Sequence, residues 1–231
     1  LCKHALWIDN GQMRMRGDPK SVCENYLAAV YEQQQGRGIV NSGAVPADDS
    51  DRMKSRRDQR QDLFNSSQLR NDIEIFEFDP NAPSFGTGIG RITSVDLQNE
   101  EGIPLSWVVG GETVSLVIRA GSRIPLKQPI IGFYIKDRLG QTLFGDNTYL
   151  TTLNQNITSD RFEVRFVFCM PTLPVGEYSI CAALAEGSQQ NHVQHHWVHD
   201  ALIFQSHSSS VTTGLVGIPM TKIELRSISC E

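Results

Sequence analysis

Over its last ~160 residues the chain predicts an all-β sandwich or barrel, a span that suits one core of ordinary domain size. Three observations carry that expectation. Apolar and polar residues alternate at period two in run after run from Asp72 onward. Clusters of Gly, Pro, Asn and Asp separate those runs. No convincing helical pattern interrupts them.

The elements follow in order. Residues 6–9 form a short apolar run, Asn10-Gly11 supplies a hairpin-type turn, and residues 12–16 return to Gly17. Asp18 is placed to cap a helix with Pro19 at its first position, and Val22, Tyr26, Ala29 and Val30 follow at helical spacing. Residues 1–31 are therefore a small α/β unit. Residues 32–71 change character, with a polar, breaker-rich stretch at 33–38 and mixed charges over 48–62. So few hydrophobes cannot offset the ~1–2 kcal/mol per residue of backbone ordering. This segment is expected to be a flexible linker, with a solvated helix possible over 52–63. It has no apolar face to lie on a membrane.

The β domain is assigned to residues 72–231. Strands are expected at 73–78, 91–98 and 112–119, with a hairpin over 129–149 and further strands at 161–168, 176–185, 192–205 and 222–228. In the hairpin, Ile131, Phe133 and Ile135 alternate with Gly132, Tyr134 and Lys136, and residues 137–140 make the turn. Segment 161–168 sets Phe162, Val164, Phe166 and Phe168 against Arg161, Glu163 and Arg165. The last strand, 222–228, is expected at an edge, where open backbone groups favour pairing between subunits.

The wording of the hairpin, PIIGFYIKDRLGQTLFGDNTY, resembles the Wzt C-terminal domain, in which GFxIKDRxGQxLFGxNT recurs. Residues 174–178 and 195–204 look like later strands of the same domain, so the likeness covers most of 73–205. Upstream, Cys2, Ala5, Leu6, Trp7, Asp9, Gly11, Gly17, Pro19, Val22 and Tyr26 resemble the final segment of an ABC ATPase domain. The resemblance implies an immunoglobulin-like antiparallel β-sandwich preceded by an ATPase stub and a linker. It implies binding of an O-antigen polysaccharide, by its modified non-reducing end, for export by an ABC transporter. It further implies a homodimer, a membrane-spanning exporter subunit as partner, and a cytoplasmic place peripheral to the inner membrane. ATP and magnesium would belong to the ATPase domain, and no cofactor is expected in these residues.

No loop of the GxxxxGK[ST] type is present, and the glycines at 86, 88 and 90 lack a following Lys and helix. They are read as a lead-in to a strand, and the chain is expected neither to bind nor to hydrolyse ATP. A net charge of −5 over 231 residues disfavours nucleic acid as a partner. No apolar run reaches the ~20 residues that cross a bilayer, and no signal-peptide core is visible. Five cysteines without a C-x-x-C spacing disfavour a disulfide framework and point to inert thiols in a reducing compartment.

His192, His195, His196 and His199 would be a tempting metal cluster on a helix. On the strand expected here, His192 and His196 share a face ~13 Å apart, so no metal site is assigned. A sugar needs flat aromatic faces and planar polar groups on the sheet surface away from the core. Alternation offers Tyr134 and Arg165 there, above a floor of the small residues Ser179, Cys181 and Ala183, with His195, Trp197 and His199 as a rim. Trp107 and Tyr149 are further aromatic candidates, and for Trp197 a core position is the competing reading. No nucleophile–base pair or convergent carboxylate pair is visible, so catalysis is not expected. The rival readings are a structural dimerisation and docking domain without a glycan site, and a glycan-modifying hydrolase or lyase.

Overall fold

The computed structural model describes residues 2–34, 57–189 and 191–226. The N-terminal unit is a hairpin, β1 (Ala5–Asp9) and β2 (Gln12–Gly17), followed by α1 (Pro19–Gln34). Asn10 and Gly11 take the positive φ angles, 48° and 76°, that the two-residue turn requires. The Asp18 carboxylate accepts from Ser21 N at 3.2 Å, an N-terminal cap, and the Trp7 and Tyr26 rings meet edge-on at 5.8 Å.

Residues 35–56, most of the expected linker, lie outside the described residues. Residues 32–34 continue α1, and residues 57–71 are tied to the β domain. Asp58 is buried; its carboxylate accepts from the Arg60 guanidinium and backbone and from Met220 N, 2.8 Å away. The helix expected over 52–63 is, among the described residues, the short α2 (Gln61–Asn65). Asp58 fixes residues 58–60 to the C-terminal segment, so they are not free to join a helical turn. Asn71 is a buried clasp. Its amide nitrogen reaches Leu173 O, Ser206 Oγ and Ser208 O, and its oxygen accepts from Leu173 N.

The strands that follow are β3 (Asp72–Ile75), β4 (Ser84–Phe85), β5 (Gly90–Gln98), β6 (Trp107–Val109), β7 (Thr113–Lys127) and β8 (Pro129–Asp137). After β9 (Thr142–Asn147) and the one-turn α3 (Tyr149–Thr152) come β10 (Thr158–Cys169), β11 (Gly176–Gly187) and β12 (His192–Ser206). They form two antiparallel sheets. The smaller has the order β10-β7-β5, and the larger runs β6-β3-β12-β11-β8-β9 with β4 added beside β12. The alternating apolar faces of both sheets meet in one core that includes Leu116 and Ile118 of the smaller and Ile135, Ile180 and Phe204 of the larger. Phe133 lies against Phe166 and Phe168 of the opposite sheet, at centroid distances of 4.9 and 5.9 Å. The fold is thus the expected all-β sandwich. Tyr178 Oη donates to Pro174 O at 2.9 Å, the corner contact that recurs in immunoglobulin-like sandwiches.

The edge strand expected at 222–228 is not formed by residues 222–226, whose described backbone contact is Ile223 N to Gln59 Oε1 at 2.6 Å. Ile223 and Leu225 alternate correctly for a strand but face solvent, with no described strand beside them to complete a ladder. Residues 227 and 228 lie outside the described residues.

Candidate functional site

The outward side of the larger sheet carries an aromatic row. Tyr134 comes from β8, Trp197 and His199 from β12, and Phe85 from β4. Trp197 is the hub. Its ring stacks with Tyr134 at 5.6 Å and with Phe85 at 5.8 Å, and lies 6.2 Å from His199. The register explains why these rings meet. Trp197 pairs with Ala183 of β11, and Tyr134 pairs with Cys181 of the same strand. Small residues on the strand between leave the two large rings to lean together over them, as anticipated for that floor.

Beside the rings lies a hollow of about 250 Å³, walled by Tyr134, Trp197, Asp146, Asn147, His192 and Gln194 over Gly132, Ala183 and Ala185. Gly132 is needed there: a Cβ would come 2.8 Å from that of Asn147. The hollow therefore offers two aromatic faces, a carboxylate and the amides of Asn147, Gln189 and Gln194 to one ligand. That is the mix a pyranose requires, with its apolar face on a ring and hydroxyls on planar acceptors and donors.

At the other end of the row the chemistry is ionic. Asp200, held at φ 50°, accepts from Ser179 Oγ and from Lys20 Nζ of α1 at 2.6 Å. Burial opposes ionisation of Asp200, but its bonds to Lys20 and Ser179 prevail and hold its pKa below the ordinary value. His199 is only 8 % exposed. Burial, reinforced by the positive charge of Lys136, holds its pKa down, to about 4. His199 is accordingly a neutral aromatic partner at neutral pH. The N-terminal unit reaches over this end of the face through Lys20.

Two expected site residues lie elsewhere. Arg165 sits on β10 in the smaller sheet, where its guanidinium donates to Gln98 Oε1 at 3.2 Å. Alternation assigned it to a solvent face correctly, but the chain changes layers between β9 and β10. His195 is 2 % exposed and belongs to the inner side. The register of β12 against β11 shifts between Leu184 and Ala185, so Leu184 pairs with His196 and Ala185 with Gln194. This bulge reverses the alternation. It turns His195 toward Thr87 Oγ1 at 2.9 Å and Glu186 Oε2 at 3.2 Å, and brings Gln194 out to the hollow. His196 Nδ1 accepts from Ile92 N, and His192 contacts Ser188 O. The four histidines thus have four different surroundings. Trp107 stacks on His207 at 5.6 Å on the edge strand β6, and Tyr149 begins α3.

Sequence reasoning missed Phe85, Asn147 and Gln194 as neighbours of the row. Phe85 stands on a two-residue strand with no alternation to flag it, and Gln194 depends on the bulge.

A family model described as the Wzt C-terminal domain matches residues 81–218. Among solved structures the chain is similar to one named "Crystal structure of the C-terminal domain of wzt", at a TM-score of 0.52 and 18 % identity. That alignment covers 66 % of this chain and 92 % of the other, and at such identity it speaks for the fold. No curated protein matches.

Proposed function

The chain belongs to the Wzt C-terminal domain family, and from that premise we propose that its β-sandwich is the non-catalytic carbohydrate-recognition domain of an ABC exporter. It binds an O-antigen-type polysaccharide at the modified non-reducing end and presents it to the membrane-spanning subunit. No helix among the described residues is long and apolar enough to cross a membrane. Contact with the membrane then runs through that partner, on the cytoplasmic side, and two copies act together because such exporters carry paired ATPase subunits.

One observation carries the reading: two stacked, half-buried rings, Tyr134 and Trp197, stand on the outward side of the larger sheet beside a hollow lined with amide and carboxylate groups. Aromatic platforms of this kind hold a sugar face without chemistry on it. Supporting a recognition role over catalysis, Asp146 is the one carboxylate among the described residues lining the hollow, whereas glycoside hydrolysis uses a pair about 5–10 Å apart. The structural docking reading has its own support in the Lys20–Asp200 ion pair, which seats the N-terminal unit on the same face.

Titration of the polysaccharide separates the two. Tyr134→Ala and Trp197→Ala are each expected to weaken binding about tenfold or more, a loss of roughly 1.4 kcal/mol, with thermal unfolding followed in parallel. Full affinity in both folded variants would move the site off this face and favour the docking reading.

A further inference from the structure

A second cavity, about 650 Å³, is bordered by β4, the glycine segment 86–90 and parts of β5, β7 and β10, and neither Tyr134 nor Trp197 lines it. Its walls include Arg91, Arg123, Arg161, Asp160, His196 and glycine backbone, with Phe85 and Ile89 as apolar neighbours. In the smaller sheet, Gly121 of β7 pairs with Arg91 of β5 on one side and with Arg161 of β10 on the other. Directly opposed residues project to the same side of a sheet. With strands ~4.8 Å apart, two arginines therefore flank a bare glycine ~10 Å apart. Arg123, two residues beyond Gly121, adds a third positive group to the same cavity.

These charges are not consumed internally. Among the described residues, Arg123 and Arg161 make no side-chain hydrogen bond or ion pair, and Arg91 donates to Pro80 O alone. Asp160, the one carboxylate among the described residues of the lining, forms no ion pair with any of them. His196 is held in its neutral form by burial and by Arg91. Three guanidinium groups against one carboxylate leave two positive charges in one cavity, in a chain whose net charge is −5. Such a grouping repels itself unless an anion offsets it. The neighbouring wall is kept to bare backbone, because a Cβ on Gly90 would collide with Leu184, and one on Gly86 with the His195 carbonyl. No helix follows this glycine segment, so the cavity lacks the geometry of a nucleotide loop.

We propose that this cavity is an oxyanion site, taking a phosphate-class dianion between Arg123 and Arg161 with Arg91 alongside. Guanidinium groups from three separate strands suit a tetrahedral oxyanion approached from several sides, and the net charge of the lining matches a dianion. The group can be a free ion or an ester on a sugar. Phe85 of the aromatic row borders this cavity, which shares no lining residue with the hollow beside Tyr134 and Trp197.

The test is an amide chemical-shift titration of the 231-residue chain at constant ionic strength, with inorganic phosphate, glucose 6-phosphate, glucuronate and glucose as separate probes. Saturable shifts confined to residues 86–91, 121–123 and 160–161 are expected with the two phosphates, at roughly millimolar affinity. Glucose is expected to give none. Tighter binding of glucose 6-phosphate than of phosphate identifies the ester as the ligand; the reverse order identifies the free ion. The variant R123Q/R161Q should lose at least about tenfold in affinity, while K222Q, remote from the cavity, should be unchanged. Non-saturating shifts, shifts elsewhere, preference for glucuronate, or equal losses in K222Q would overturn the proposal. The unmodified chain decides most of these outcomes whether or not the double variant folds.

Discussion

Trp197 shows how much one side chain can organise. Its indole touches Tyr134, Phe85 and His199, so a single position joins three strands on the outward face of the larger sheet. Asn71 plays the corresponding role inside. It is 3 % exposed and ties the start of β3 to the chain before β11 and to the end of β12. Asn71→Ala removes those bonds and strands buried backbone groups, and a loss of about 2–4 kcal/mol is expected in urea unfolding. His199 predicts a pH dependence. Its folded pKa lies near 4 against an ordinary 6.5, so the folded state refuses a proton that the unfolded chain accepts between those values. The contribution is complete above pH 6.5, and it is lost as pH falls from 6.5 to 4 at up to ~1.4 kcal/mol per unit. Unfolding midpoints measured across that window should flatten in His199→Gln relative to the parent chain.

At the scale of elements, the ties between distant segments are few and specific. Residues 57–60 and 219–223 hold each other through Asp58, whose carboxyl is kept at a pKa of about 2, first by the Arg60 guanidinium and further by the Met220 N–H. Asp58→Asn should cost about 2 kcal/mol at neutral pH and raise proteolytic sensitivity at both segments together; cleavage at one segment alone would contradict the tie. The long alternating strands were legible in the sequence, because a half-buried sheet face imposes period two: 91–98, 176–185 and 192–205 lie close to β5, β11 and β12. Tyr134, Trp197 and His199 came together as their alternation required. His195 did not, since a bulge leaves no mark in a periodicity count and turns every residue before it to the opposite face. Arg165 was misplaced for another reason: alternation tells inward from outward but is silent on which of two sheets a strand joins. The strands β4 and β6, with Phe85 and Trp107, are too short to carry a pattern.

The whole molecule separates its tasks by surface. The shared interior of the two sheets supplies the rigidity, fixed by aromatic contacts such as Phe133 on Phe166 across the layers. One outward face carries stacked rings and a hollow of sugar size, and a separate basic cavity is lined by residues of β5, β7 and β10. The N-terminal unit approaches the rings through Lys20, so a ligand on that face lies near the segment that resembles the end of an ATPase domain. The polysaccharide is proposed to be held on the ringed face. That placement is tested most directly by recording the indole N–H of Trp197 and the amides of residues 132–134 and 183–197 during titration with the polysaccharide, with and without its terminal modification. Saturable shifts centred on these residues and tighter binding of the modified chain are expected. Saturable binding that leaves them unmoved, or shifts centred on the solvent face of β10, would contradict that placement.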